Sequence, residues 1–440
     1  MKDVWGETIT NVEPQKVNKK KIIIAIIIAI IVVTAIITIG LYNTNKQART
    51  WIDKNIFRKE IQQDKAVTIE IAENQDSNIY AFNKYIGILD KTNFTIYGNT
   101  GNKENELEIQ ISNPIFNSAN RFLAIAENKG QKLYLITDKE ITWEAEVEGN
   151  ISQILVNKNG YVAVVIVDTS YKTVIKMYSP QGKELFNTYL SSTRAVDVSI
   201  SNDNKYLAIA EIDTSGTIIQ SNIKVVSIDK ASTDPTNSLV NTYKSEENKL
   251  ITSIKYQEKN KLVCMYTDSI HEIANEKDET LIESKDKKVI FQSILLNGNA
   301  CQIEEKSSGL FTADSQVNII NIDSKSIKQY TADSIAKELY TYGNIMALNL
   351  GTEIEFINTD GWLVKRYVAN QEITNIVVSD NLAGIIYRDK IEIVKYTMKK
   401  EVLKIIANYN NFKERNGGRN GNNARYSNSF ICTNFNIFRI

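Results

Sequence analysis

The chain has 440 residues, and its 52 Lys and Arg residues balance its 52 Asp and Glu residues. This balance excludes a global field that would attract nucleic acid, so we predict no nucleic-acid partner. Three cysteines are too few for a disulfide framework, and a single histidine excludes a His-rich metal site.

The first predicted element is an apolar helix that is long enough for a bilayer. Residues 22–39 carry no charge, and extension to residue 42 gives 21 residues, or about 31 Å of helix. The run exceeds the roughly 7–15 residues of a signal-peptide core, and no small-x-small cleavage site follows it. We therefore predict a short cytoplasmic arm over 1–21 and an uncleaved transmembrane signal anchor over 22–42.

Basic residues lie on both sides of this segment, five before it and five after it, so the charge count is a tie. The triplet Lys19, Lys20 and Lys21 adjoins the apolar run directly, whereas the first basic residue after it is Lys46. We expect a single-pass protein of the cell membrane, with its N-terminus inside and its main domain extracytoplasmic. The alternative is the reverse orientation, with the main domain in the cytosol.

Residues 43–64 form the next predicted element, a juxtamembrane amphipathic segment. Its apolar residues recur at roughly helical spacing among charged ones, and they are Trp51, Ile52, Ile56, Phe57 and Ile61. Such a helix either lies near the lipid headgroups or covers one face of the domain that follows.

Residues 65–397 contain an eightfold repeat. A tight polar turn is followed by a bulky apolar residue, one further residue and a small one, at spacings of 37 to 56 residues. The small residues are Gly87, Ala124, Ala163, Ala208, Cys264, Cys301, Ala347 and Gly384. A period near forty residues with short strands predicts an all-β fold, a β-propeller of about eight four-stranded blades. Seven blades are the alternative, because the copy at Cys301 is weak.

The small residue is predicted to lie on the second strand of each blade, where it lets the next sheet approach to about 10 Å. For the third unit the alternation predicts strands 151–156, 161–167, 174–178 and 184–190, and for the fourth 195–200, 206–212, 223–228 and 239–243.

Closure of the ring requires a strand from outside the last unit, which shows only three clear strands, 373–378, 382–387 and 391–396. Residues 67–71 form a spare alternating strand ahead of the first unit. Pairing these two would remove the open sheet edges that invite aggregation. We prefer this N-terminal closure, and residues 401–406 are the alternative fourth strand.

The tail over 398–440 is predicted to be disordered, because residues 408–428 are rich in Asn, Gly and Arg and show no alternation. Cys432 and the isolated apolar stretch 430–440 lie in this tail.

We predict no catalytic, cofactor-binding or metal-ligating residue, and no cofactor. Cys264 and Cys301 fill the small position of the repeat, so we interpret them as packing residues. A Ser-His-Asp triad could use only His271, which we place in a strand. Residues 201–204 have some residue types of a calcium loop but belong to a hairpin turn of the repeat. A spatial pair of carboxylates for glycoside chemistry remains open.

Two resemblances to propeller families concern single repeats. Residues 201–208 resemble the turn and strand of WD-repeat propellers, although Trp51, Trp143 and Trp362 are not followed by Asp. Residues 133–143 and 356–362 resemble quinoprotein-type repeats. Neither resemblance carries cofactor residues to this chain.

A third resemblance covers residues 20–396. Residues 51–60, 156–162 and 182–186 resemble an uncharacterised family of single-span, membrane-anchored proteins from low-GC Gram-positive bacteria with a propeller-like domain of unknown function. This resemblance implies an anchor and a propeller, and it implies no activity.

We therefore expect a membrane-anchored extracytoplasmic β-propeller that binds a protein or a cell-envelope component and acts as a scaffold. A rigid ring with many exposed loops suits this role, because binding residues concentrate on loops. The alternatives are a quinoprotein-like oxidoreductase, a carbohydrate-active enzyme, and an envelope sensor module.

Overall fold

The computed structural model describes residues 19–44, 48, 51–52, 67–71, 78–246, 249–274, 277–284, 287–296, 298–307, 313–379 and 382–396. Several predictions fall outside these residues: the arm before residue 19, most of the juxtamembrane segment 43–64, the alternative closing strand 401–406 and the tail 398–440 with Cys432.

A helix, α1, spans Lys19–Thr44 and contains the predicted anchor. The hydroxyl of Thr34 donates to the carbonyl of Ile30, and that of Thr38 donates to the carbonyl of Thr34, so both polar groups are satisfied within the helix. The side chains of Ile26 and Ile36 are exposed. When only residues that the structure describes are counted, no helix is long and apolar enough to cross a membrane.

Eight four-stranded antiparallel sheets, the blades, account for all 32 strands of the described chain. Blades 1 to 4 consist of β2 to β17: Asn78–Phe82, Tyr85–Asp90, Asn93–Tyr97 and Lys103–Glu108; Pro114–Ala119, Phe122–Glu127, Lys132–Thr137 and Glu140–Glu146; Asn150–Val156, Val162–Val167, Thr173–Tyr178 and Glu184–Leu190; Arg194–Ile200, Tyr206–Asp213, Gln220–Ser227 and Leu239–Lys244.

Blades 5 to 7 consist of β18 to β29: Ile251–Tyr256, Leu262–Tyr266, Ser269–Ala274 and Lys277–Glu283; Val289–Ile294, Asn299–Ser307, Ala313–Asn321 and Ile327–Ala332; Glu338–Tyr342, Ile345–Asn349, Glu353–Asn358 and Leu363–Val368. Blade 8 combines β30 to β32, Asn375–Ser379, Leu382–Ile386 and Lys390–Lys395, with β1, Val67–Glu70. A helix at Ile228–Thr233 and 3-10 turns at Pro235–Asn237 and Glu258–Asn260 complete the described elements.

The ring is closed by a strand that precedes the first blade, which was the preferred prediction. Strand β1 pairs antiparallel with β32, with Ile69 opposite Ile391, and so supplies the outer strand of blade 8. First strands of neighbouring blades contact one another around the ring, including β2 with β30. The prediction of eight blades is therefore confirmed, the alternative of seven is wrong, and the strands predicted for the third and fourth units are found within three residues at each end.

The polar turns of the repeat are tight because their residues adopt the left-handed conformation. Between the first and second strands of seven blades, one residue has a positive φ, and these are Asn83, Asn120, Gly160, Asn204, Asn260, Gly298 and Gly343. Asn and Gly tolerate this region best, and it gives the hairpin the twist of its strands. The turn in blade 8 lies outside the described residues.

The small residues pack where neighbouring blades meet. Those that share a core cluster with the following blade are Ala124, Ala163, Ala208, Cys301 and Ala347. A β-carbon at Gly384 would lie 3.1 Å from Ile86 of blade 1, whereas one at Gly87 would lie 2.2 Å from Phe94 of its own blade. A β-carbon at position 384 would also lie 2.9 Å from Val377 of its own blade, so both sheets explain Gly384, while the ring of Phe94 explains Gly87.

Cys264 departs from the predicted pattern by one residue. It lies in the core cluster between blades 4 and 5, while the preceding residue, Val263, packs with Ile294 against blade 6. Because side chains alternate between the faces of a strand, a shift of one residue turns Cys264 towards the preceding blade. It remains a buried packing residue, as predicted.

Candidate functional site

A cavity of about 330 Å³ lies between blades 4 and 5. Blade 4 and the residue after it contribute Ile223, Asn241, Thr242, Tyr243, Lys244 and Ser245 to the wall, and blade 5 contributes Ile251, Tyr266, Ile273 and Asp278. The four residues from blade 5 come one from each of its strands, whereas those from blade 4 come from its third and fourth strands and the residue that follows.

The inner part of the cavity is apolar and its outer part is polar. Ile223, Ile251 and Ile273 belong to the core cluster between the two blades and are buried. Asp278 retains 42% side-chain exposure, and Asn241 and Tyr243 are half-buried. A concave wall with an apolar floor and a few convergent polar groups is the usual composition of a small-molecule site.

The carboxylate of Asp278 is held by the only histidine of the chain. Nδ1 of His271 lies 2.7 Å from Oδ1 of Asp278, and Nε2 lies 3.0 Å from the hydroxyl of Ser269. The Ser269 hydroxyl in turn donates to Asp268 at 3.1 Å. The imidazole is buried and packs edge-on against the ring of Tyr266 at 4.7 Å, so Asp278 is anchored from behind by a fixed group.

This Ser269–His271–Asp278 arrangement has the order of contacts found in a catalytic triad but not its accessibility. A nucleophilic serine must present its hydroxyl oxygen to a substrate carbonyl. Ser269 is 0% exposed, and its hydroxyl bonds to Asp268. The three side chains therefore act as a buried polar network that orients Asp278 at the cavity wall.

Tyr266 of the cavity wall is a neutral phenol. Burial, followed by the nearby Cys264 and Asp278, raises the pKa of Tyr266 well above its usual range. Its phenol therefore keeps its proton at every physiological pH. On the opposite wall the amide of Asn241 donates to the hydroxyl of Tyr243 at 3.2 Å.

A second buried polar cluster lies between blades 6 and 7. The guanidinium of Arg366 donates from Nη2 to Oε1 of Glu355 at 2.7 Å, and the hydroxyl of Tyr330 donates to Oε2 of Glu355 at 2.9 Å. Arg366 and Glu355 are both buried, the pair joins strands β28 and β29 of blade 7, and Tyr330 connects it to blade 6. We interpret this cluster as structural. In the described part of the chain, no group of three or more His, Cys, Asp and Glu residues is placed to hold a metal ion.

The sequence located some of these residues and missed others. His271 lies in strand β20, as predicted, and residues 201–204 form the predicted turn, in which Ser201 accepts from the backbone N–H of Tyr206 at 2.9 Å. Asp278 was not predicted from the sequence. The hairpin starts with Ser-x-His, and this spacing does place the side chains of Ser269 and His271 on one face of the strand. The expectation that sites lie in the loops does not fit this cavity, whose walls are mainly strand residues.

A family of unknown function, DUF5711, matches residues 58–396, which is more than half of the chain. The chain belongs to this family. Membership agrees with the resemblance to an uncharacterised propeller family and assigns no activity. None of the curated proteins compared with the chain matches it.

Several solved structures match the chain at low sequence identity. Sqt1 of Chaetomium thermophilum, bound to the N-terminus of ribosomal protein L10, has a TM-score of 0.47 and 8% identity, with 75% of this chain and 100% of that chain covered. Apo AztD of Citrobacter koseri has a TM-score of 0.44 and 10% identity, with 70% and 93% covered. Hydrazine synthase of Kuenenia stuttgartiensis has a TM-score of 0.42 and 10% identity, with 74% and 97% covered. These scores are too low to support any functional assignment.

Proposed function

We propose that this chain is a membrane-anchored, extracytoplasmic β-propeller that binds a protein or cell-envelope component as a scaffold. The observation that supports binding most directly is the polar cavity between blades 4 and 5, which has an apolar floor and a fixed carboxylate. Within the described ranges, Ser269 of the histidine network and the cysteines Cys264 and Cys301 are buried.

Support for the anchor comes from the sequence and from α1. Residues 22–39 lack charge, and helix Lys19–Thr44 contains them all. At 1.5 Å per residue the 26 residues of this helix extend about 39 Å. Isoleucines such as Ile30 expose their side chains on its surface. The orientation is supported by Lys19, Lys20 and Lys21, which precede the apolar run directly.

Surface proteolysis tests the orientation. Intact bacteria that express the full chain are treated with a protease, and the propeller is followed with an antibody against it. An extracytoplasmic propeller is digested in intact cells, to the same extent as after lysis. Protection in intact cells followed by digestion after lysis would place the propeller in the cytosol.

Cross-linking tests the scaffold role. The full chain is cross-linked in intact cells, purified, and its partners are identified by mass spectrometry. We expect one protein or envelope polymer to be enriched over a control with an unrelated single-span protein. Failure to recover any enriched partner across linkers of several lengths would contradict the scaffold role.

One observation supports the alternative of a carbohydrate-active enzyme, and another opposes it. Asp278 gives the cavity a carboxylate that could contact a sugar, yet among the described lining residues it stands alone. Most glycoside hydrolases use two carboxylates that flank the scissile bond. The cavity therefore favours binding over hydrolysis.

A further inference from the structure

The carboxylate of Asp278 faces the cavity between blades 4 and 5. Asp278 lies directly opposite Ile273 on the neighbouring strand, and Ile273 belongs to the core between these two blades. Side chains of directly paired residues share one face of a sheet, so Asp278 points towards blade 4. Its side chain keeps 42% exposure at the cavity wall.

The lysine that borders the cavity does not balance this charge. Tyr243 lies opposite Ile223, which belongs to the same core, so Tyr243 faces blade 5. Because neighbouring residues of a strand point to opposite faces, the ammonium of Lys244 lies on the other face of blade 4. Among the described lining residues, Asp278 is therefore the charged side chain that faces the cavity.

The ionic contact of Asp278 in the described chain is with His271, whose Nδ1 lies 2.7 Å from Oδ1 of the carboxylate. No lysine or arginine of the described chain pairs with it. An ionised carboxylate offers about four lone-pair sites, so the contact to His271 leaves capacity for a ligand. The buried imidazole also fixes the carboxylate, which reduces the conformational entropy lost on binding.

We propose that this cavity binds a primary ammonium group, that of a lysine side chain on a protein partner. This inference rests on the proposed binding function. An ammonium has three donors, and a hydrogen bond from an ammonium to a carboxylate is among the strong ones. Asp278 accepts one donor, while the hydroxyl of Tyr243 and the amide oxygen of Asn241 on the facing strand supply further oxygens.

The size of the cavity suits the end of a single side chain. Its volume of about 330 Å³ lies at the lower end of ligand pockets, which hold roughly 300–1,000 Å³. The half-buried ring of Tyr243 faces the same space, and an aromatic face attracts a cation within about 6 Å.

Other classes of ligand fit less well. An anion would be repelled by Asp278, and a neutral ligand would leave its charge uncompensated. A metal ion needs several carboxylate, imidazole or thiolate ligands, and within the described ranges no group of three or more His, Cys, Asp and Glu residues is placed to hold one. An organic cation is the class that remains.

The test uses the full chain in lipid nanodiscs and ligand-observed saturation-transfer NMR. The probe is N-acetyl-lysine methylamide, with its Nε-acetylated form as the neutral comparison and N-acetyl-glutamate methylamide as the anionic one. We expect saturation transfer to the lysine probe and about tenfold or weaker binding of the other two. The free diamine cadaverine distinguishes the source, because tighter binding of cadaverine than of the lysine probe would assign the site to a free amine and overturn the assignment to a protein lysine.

Asp278→Asn should weaken binding of the lysine probe by about tenfold or more, since it keeps an acceptor for His271 but loses the charge. Two variants are matched controls. Asp389→Asn removes a carboxylate from an exposed turn of blade 8, and Lys244→Gln changes the exposed side chain on the other face of blade 4. Both controls should bind the probe within about twofold of wild type.

A second variant tests the site even if Asp278→Asn is unstable. Thr280 is exposed and lies on the same face as Asp278, two residues along the strand. Thr280→Lys places an ammonium of the chain itself beside the carboxylate, so it should weaken binding of the probe by about fivefold. Absence of transfer to the lysine probe, equal binding in Asp278→Asn and Asp389→Asn, or undiminished binding in Thr280→Lys would overturn the assignment.

The cross-linking experiment separates this inference from the scaffold proposal. If Asp278→Asn loses both the lysine probe and the cross-linked partner, both proposals are supported together. If the lysine probe does not bind while wild type and variant recover the same partner, the ammonium inference fails and the scaffold role stands. If the probe binds and no partner is recovered, the ammonium site stands without the scaffold.

Discussion

At the scale of single residues, the two cysteines in the described part of the propeller, Cys264 and Cys301, are buried. Burial raises the pKa of the Cys301 thiol to about 12 and that of Cys264 above its usual range. Both residues are 0% exposed. Because the thiolate is the nucleophile, neither sulfur reacts readily in the folded protein.

Thiol labelling checks this expectation. In a Cys432→Ser variant, which leaves only Cys264 and Cys301, we expect no reaction with Ellman's reagent at pH 8 in the native protein. Two thiols should react in urea. Rapid labelling of either cysteine without denaturant would contradict their packing role.

The buried ion pair between blades 6 and 7 gives a second residue-scale prediction. Arg366→Met should lower the free energy of unfolding by about 3–5 kcal/mol, because it leaves the buried carboxyl of Glu355 without the guanidinium that neutralises it. Lys328→Met is the matched control. It removes an ion pair with Asp360 at the same blade interface, but both side chains are about half exposed, so we expect a change below about 1 kcal/mol. Urea denaturation measures both, and equal losses would contradict the distinction.

At the scale of elements, one strand of four residues closes the ring. Ile69 of β1 is 5% exposed and packs with Ile86 and Ile393, so β1 contributes to the core between blades 8 and 1. Without β1, strand β32 would keep an unpaired edge, which is a site for aggregation.

Truncation tests the closure. A chain that starts at Glu60 should retain a cooperative thermal transition, whereas one that starts at Gln75, and so lacks β1, should aggregate or melt at a markedly lower temperature. A chain that ends at Tyr396 should stay folded, because strand β1 already completes blade 8. Loss of the fold in the chain that ends at Tyr396, with the chain from Gln75 intact, would instead favour closure by residues 401–406.

The turns between first and second strands also tie neighbouring blades together. Asn157 donates to Asn204 at 2.6 Å, and Asn260 donates to Asp203 at 2.9 Å, which links blades 3, 4 and 5. These contacts cross between turns that carry the left-handed residues Asn204 and Asn260.

The hydrogen bond from Asn260 to Asp203 leads to a prediction about the pH dependence of stability. Burial opposes ionisation, but hydrogen bonds from Asn260 and Ser201 outweigh it and lower the pKa of Asp203. A lowered folded-state pKa contributes stability above the unfolded value of about 3.9, and that contribution is lost as pH falls through the folded value. The urea midpoint of wild type should therefore exceed that of Asp203→Asn at pH 6, and the difference should shrink below pH 4. A constant difference across this range would contradict the prediction.

At the scale of the whole molecule, the chain consists of a ring of blades and, before it in the sequence, helix α1. The eight blades form one continuous ring in which each blade packs on two neighbours. Helix α1 precedes all the strands in the sequence. Its role as a membrane anchor is part of the proposed function.

Fractionation tests the anchor at this scale. The full chain should remain in the membrane pellet after alkaline carbonate washing, and deletion of residues 22–42 should release a folded propeller into the supernatant. Release of the full chain by carbonate would contradict a spanning anchor.

The sequence by itself predicted about eight blades, the polar turns, the strand bounds of the third and fourth units and the preferred closing strand. These features are local, since alternation with period two and a left-handed Asn or Gly in a turn leave a direct trace in the chain. The face to which Cys264 points needed the pairing register, because a shift of one residue reverses every side chain.

Only the tertiary structure decided where a ligand could bind. The cavity joins Asn241 and Lys244 of blade 4 to Tyr266 and Asp278 of blade 5, and no short motif connects them. Residues from six strands of two blades line it, so its shape depends on how the two sheets pack within the ring, which the alternation of a single strand does not reveal.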